Sequence, residues 1–146
     1  EVADAFQALT ISTFGGNPLS CAAASATLAA IEEDNLADNA EVQGARLRAG
    51  LEALQARHPV HIGDVRGRGL MQAIEIVVDE TAGDRTPDAA ATGRLFEEAK
   101  TRGLLIGKGG LHGNVCRIAP ALTVTADEVD EALATLAAAC EAGFGS

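Results

Sequence analysis

From Leu36 to Leu54 the apolar positions step by three and four residues, through Leu36, Ala40, Leu47, Leu51 and Leu54, with Gln43 on the same stripe. That period belongs to one face of a helix, and Pro59 requires the helix to stop before it. The period then changes. Ile74, Ile76 and Val78 alternate as on a half-buried strand, and Gly63, Gly67 and Gly69 predict turns or a bulge ahead of it. The polar stretch ETAGDRTPD reads as a loop, and Leu95, Phe96 and Ala99 predict a helix closed by Gly103. Leu104–Ile106 and Val115–Ala119 read as two short strands joined by the glycine-rich GKGGLHGN. A last helix opens at TADE, where Thr125 and Glu128 have capping-box spacing, and runs on through Val129, Leu133, Leu136 and Cys140.

The stretch STFGGNPLSC precedes all of these. Asn17 can accept a hydrogen bond from an orphan backbone N–H, and Pro18 fills the first helical position, where no donor is needed. A helix to about Asp34 is expected, lined by Ala22, Ala23, Ala26 and Ala30 with Leu19, Leu28 and Ile31. Side chains this small let another backbone come close. No internal repeat is visible. The pattern predicts an α+β arrangement: a helix pair, a small, mostly antiparallel sheet, and two further helices packed on it.

With 146 residues, 47% of them apolar, the chain can bury roughly 68–70% of its unfolded surface around one core, so neither metal nor disulfide is required. Met71 is the only methionine, and the chain is therefore expected to be part of something longer. The formal charge of −10, from 21 acidic and 11 basic residues, argues against a nucleic acid or an anionic membrane as partner. No apolar run approaches the ~18 residues of a membrane span, and a cytoplasmic setting is expected. Cys21, Cys116 and Cys140 lack metal or redox spacing and are expected to be buried, reduced thiols.

Two places could hold an anion. Around Thr13–Asn17, a hydroxyl and backbone N–H groups freed by glycine lie close to a helix start and suit a phosphate; an ordinary glycine turn feeding a capped helix is the plainer alternative. Arg117 alternates with Cys116 and Ile118 and so faces away from them. It could grip a carboxylate through two parallel hydrogen bonds, or simply face solvent. Glu75 suggests a solvent-facing acid or a local ion pair, and Arg66 and Arg68 a solvated turn. His58, His61 and His112 lack the company of further ligands, so no metal is expected. The two lysines, Lys100 on a helix and Lys108 in a glycine loop, are not in the desolvated surroundings that covalent catalysis needs. The residues taken by themselves offer binding features and no catalytic machine.

Three segments in this order, TFGGNPLSCAAA (13–24), GDVRGRGLMQAIEI (63–76) and CRIAPALTVTADEVDEAL (116–133), resemble the C-terminal part of class III pyridoxal-phosphate aminotransferases, a branch of the fold-type I enzymes. GLLIGKGGLHGNVCRIAP most resembles the alanine–glyoxylate type 2 subgroup, with omega-amino-acid aminotransferases close by. The resemblance implies that residues 1–16 are a remnant of the large cofactor domain and interface loop, and that 17–146 form the small domain. It implies that Thr13 donates to the phosphate of pyridoxal 5'-phosphate bound in the other subunit of a homodimer with shared active sites, with Ser12 a lesser contact, and that Arg117 binds the substrate carboxylate. It also implies that the Schiff-base lysine lies ahead of Glu1. No catalytic residue is then expected within the chain, which alone should be inactive, while the whole protein would exchange an amino group between an amino acid and a 2-oxo acid. The absent lysine leaves two alternatives: a stand-alone interaction or regulatory domain, and a class III aminomutase or racemase fragment.

Overall fold

The computed structural model describes residue 5 and residues 11–145, and the chain forms two compact units, 1–34 and 35–146. In the first, α1 (Pro18–Glu33) begins as its sequence dictates: the Asn17 side chain accepts from the Ser20 N–H and Pro18 sits in the first turn. The Asn17 amide also donates to the Phe14 carbonyl at 2.7 Å, which fastens the preceding turn to the helix start. No residue of α1 is buried. Cys21 is accordingly exposed, which corrects the expectation that all three thiols are buried.

The second unit contains α2 (Leu36–Arg57), β1 (Ile62–Arg68), β2 (Met71–Asp79), β3 (Asp84–Pro87), α3 (Ala89–Thr101), β4 (Gly107–Gly109), β5 (Val115–Ile118) and α4 (Ala126–Phe144). Its strands run in the order β1-β2-β5-β4, with β3 on β2, and every pairing is antiparallel. The inward residues of the sheet, Ile62, Val65, Ile74, Ile76, Cys116 and Ile118, meet Leu47, Leu51 and Leu54 of α2 and Leu95 of α3 in one core. α4 adds Val129, Leu136 and Cys140 and packs against both α2 and α3. The result is the α+β arrangement that the alternating and helical periods predict.

Three segments differ from that reading, the first only in part. Of the glycines before Ile74, Gly63 and Gly67 fall within β1, yet the register shift between Ile62 and Asp64 is an irregularity of the expected kind, and Gly69 takes φ +52° in the turn from β1 to β2. The polar loop contains β3, whose four residues are all exposed and held to β2 by backbone pairing. Leu104–Ile106 is not a strand; β4 lies just beyond it, in the stretch read as a connection. Leu104 and Ile106 pack on the core instead. An edge strand pairs through its backbone, so Gly107–Gly109 can form one with no apolar signature at all. The helix ends do follow their local chemistry. Asp88 caps α3, Gly103 takes φ +85° just past it, and Thr125 and Glu128 complete a capping box at α4. Among the described residues no helix is long and apolar enough to cross a membrane.

Candidate functional site

The outward face of the sheet carries a row fixed by strand register. Arg66 on β1 stands opposite Ala73 on β2, Ala73 opposite Arg117 on β5, and Arg117 opposite Gly107 on β4. Two strand spacings separate the arginines, roughly 10 Å between backbones, yet their electrostatics differ. Arg66 donates to Asp64 at 2.7 Å and also to Glu75. Its hydrogen bonds to the Asp64 and Glu75 carboxylates hold the guanidinium in the charged form. Arg66 is therefore an ion-paired strand residue, not part of a solvated turn. Glu75 is the ion-paired acid that its isolation in an apolar strand suggests.

Arg117 is exposed and forms no ion pair or side-chain hydrogen bond with any described residue. Its neighbours across the strands are the two smallest side chains available, Ala73 and Gly107. A guanidinium so placed keeps its donors open to the outward face and suits a planar carboxylate. Asn114, 3% exposed, fixes the strand that carries it: the side chain donates to the Ile76 carbonyl at 3.1 Å, and its own carbonyl accepts from Ile76 N–H at 2.8 Å. No periodicity marks Asn114 or Gly107. Both sit in a glycine-rich stretch whose sequence looks like a plain loop.

The turn before α1 is the second anion-binding candidate. Ser12 Oγ accepts from the Gly15 N–H at 3.0 Å, Gly16 adopts φ +73°, and Asn17 spans the turn to Ser20. Thr13 is exposed, and its hydroxyl makes no hydrogen bond to another described residue. A hydroxyl donor in the turn that leads into a helix N-terminus suits a phosphate oxygen, so the Thr13 hydroxyl fits the phosphate of the cofactor the resemblance implies. Ser12 is partly committed to holding the turn.

The remaining candidates are occupied otherwise. Lys100 pairs with Glu97 at 3.2 Å on one face of α3, and Lys108 reaches the Ala89 carbonyl at 3.4 Å. Burial pushes the Cys116 thiol up to about 11 and the Cys140 thiol to about 12, so neither supplies a thiolate nucleophile near neutral pH. His58 and His61 pack on Phe144 with ring centroids 5.5 Å and 4.8 Å away. Among the described residues no three His, Cys, Asp or Glu side chains are grouped to hold a metal ion. An apolar cleft of about 340 Å³ opens between Leu104, Ile106, Ile118, Pro120, Val124 and Val129. Arg117 does not line it.

The family Aminotransferase class-III matches residues 1–140. The chain is 46% identical over 118 residues to the Arabidopsis thaliana protein named alanine–glyoxylate aminotransferase 2 homolog 2, mitochondrial, covering 81% of this chain and 24% of that one. It is 41% identical over 124 residues to the Pseudomonas putida 5-aminovalerate aminotransferase DavT, covering 85% of this chain and 28% of that one. In three dimensions it matches a Bacillus anthracis aminotransferase with a TM-score of 0.82 at 34% identity, over 90% of this chain and 30% of the other. The chain thus spans roughly a quarter of the length of these curated relatives. A match running along residues 1–140, over an α+β unit shared with a solved aminotransferase, means that the chain belongs to the class III aminotransferases.

Proposed function

We propose that the whole protein is a pyridoxal-phosphate-dependent aminotransferase, a homodimer with shared active sites that moves an amino group between an amino acid and a 2-oxo acid. Residues 1–16 would belong to the large cofactor domain and 17–146 to the small domain. When bound, the cofactor supplies the carbonyl that receives the amino group and a sink for the electrons left on the amino-bearing carbon. This chain's residues bind and orient. The Thr13 hydroxyl, in the turn that leads into α1, would donate to the cofactor phosphate bound in the partner subunit's site. Arg117 holds the substrate carboxylate through two N–H donors, fixing the amino-bearing carbon relative to the cofactor. The Schiff-base lysine that the family resemblance implies lies outside this chain, whose own Lys100 and Lys108 engage Glu97 and the Ala89 carbonyl, and the chain by itself is inactive.

The observation that carries this reading is the Arg117 guanidinium, unpaired among the described residues, on the sheet of a class III aminotransferase unit. The buried, protonated thiols of Cys116 and Cys140 suit a reducing, cytoplasmic compartment, which fractionation of expressing cells would test. For the activity, the complete gene is expressed with pyridoxal phosphate, and visible absorbance of the bound cofactor is recorded together with amino transfer to pyruvate or glyoxylate. Both are expected; absence of both contradicts the proposal. Thr13→Val, which deletes one donor to a charged group, should weaken cofactor affinity by roughly tenfold or more.

A further inference from the structure

Arg117 is free to receive a carboxylate only if its own neighbours leave it in one place. Resting on the reading of Arg117 as the carboxylate anchor, we propose that Gly107 is a positioning residue for the reaction: the absence of a side chain on β4 provides the bed on which the Arg117 guanidinium lies. Gly107 is directly opposite Arg117 in the β4–β5 pair. A methyl group on residue 107 would stand 3.3 Å from Arg117 Nε, 3.4 Å from its Cβ and 3.4 Å from Nη2. The whole side chain, from its root to one donor nitrogen, therefore runs over the glycine. Across the other strand boundary stands Ala73, whose methyl is already present. The arginine has its open side over β4.

The backbone gives no other reason for glycine at this position. Gly107 is not among the residues with positive φ, so its conformation is open to any residue. It sits within an edge strand, where a β-branched side chain favours the extended state and glycine disfavours it. Stability would select a larger residue, and placement of the guanidinium selects glycine. The alanine methyl needs a shift of only a few tenths of an ångström. Valine, filling more of the same face, moves the fork further and costs it one of its two parallel hydrogen bonds to the carboxylate.

The test uses the complete, cofactor-loaded protein in four forms: the parent, Gly107→Val, Arg117→Ala and the double variant. Steady-state kinetics are measured for an amino acid donor and a 2-oxo acid acceptor, together with the thermal midpoint. Gly107→Val is expected to raise KM for both substrates roughly 10–100-fold, the worth of one hydrogen bond to a charged group. Its kcat should stay within about twofold and its thermal midpoint should not fall. In the Arg117→Ala background the same substitution is expected to change KM by less than about twofold, because the group through which it acts is gone. An effect that persists undiminished in that background, or a loss of kcat and thermal midpoint with no change in KM, overturns the proposal. If Arg117→Ala raises KM and Gly107→Val does not, the positioning role fails while the anchor reading stands. If Arg117→Ala itself leaves KM unchanged, the anchor reading fails first. Should Gly107→Val fold poorly, Gly107→Ala carries the same test with an expected two- to fivefold rise in KM, and no rise overturns the proposal.

Discussion

A guanidinium recognises a carboxylate through geometry as well as charge, because its fork presents two parallel donors where an ammonium presents one point charge. Arg117→Lys keeps the charge and removes the fork, so KM for the amino acid should rise roughly tenfold, while Arg66→Lys, at an arginine already held by Asp64 and Glu75, should leave it within about twofold. Steady-state kinetics of the complete protein checks both, and an equal response of the two would contradict the distinction between them. The outward direction of Arg117 was legible in its alternation with Cys116 and Ile118. Its lack of an ion-pair partner among the described residues was not. That property depends on which residues stand across from it, Ala73 and Gly107, and cross-strand register is absent from a local pattern.

At the scale of elements, what is local proved readable and what is paired did not. Asn17 with Pro18 and Thr125 with Glu128 act within one helical turn, and all sit where their chemistry puts them. The α2 stripe likewise buries Leu47, Leu51 and Leu54. β3 and β4 escaped the pattern because exposed or glycine residues form them. Gly44 on α2 shows how a pairing between elements is written in a missing atom: a Cβ there would come within 2.6 Å of the Gly69 Cα, in the turn between β1 and β2. Gly50 differs, since a Cβ there meets the side chain of Leu133 rather than backbone, with Cδ2 at 2.6 Å and Cγ at 2.9 Å. Alanine gains up to about 1 kcal/mol of helix propensity at either site. Gly44→Ala should nevertheless destabilise the protein by about 1–3 kcal/mol through overpacking against backbone, while Gly50→Ala stays within about 1 kcal/mol of the parent. Denaturant midpoints decide; equal effects would mean that α2 does not rest on the Gly69 turn.

On the scale of the whole molecule, the C-terminal end of α4 is linked to pH through the imidazole of His58, which packs on Phe144. His58 Nε2 is buried with no hydrogen-bond partner among the described residues. Burial lowers its pKa below the ordinary 6.5, more than Glu141 raises it, with Arg57 and His61 also lowering it. The folded state therefore prefers neutral His58. Above about pH 6.5 this group imposes no penalty; as pH falls through that value the unfolded chain takes up the proton first, and stability declines until the lower folded pKa is passed. The thermal midpoint should drop between about pH 7 and pH 5, and His58→Gln should flatten most of that slope. An unchanged slope would remove His58 from the account. The depressed carboxylates Asp79, Asp84, Glu128 and Asp130 act at lower pH, so the two windows separate. The most direct test of the central claim is a structure of the complete protein with pyridoxal phosphate and a carboxylate-bearing substrate analogue. It should place two Arg117 nitrogens about 2.7–2.9 Å from the carboxylate oxygens and the Thr13 hydroxyl on a phosphate oxygen of the partner subunit's cofactor. A carboxylate held by another cation, with Arg117 and Thr13 both turned to solvent, would contradict it.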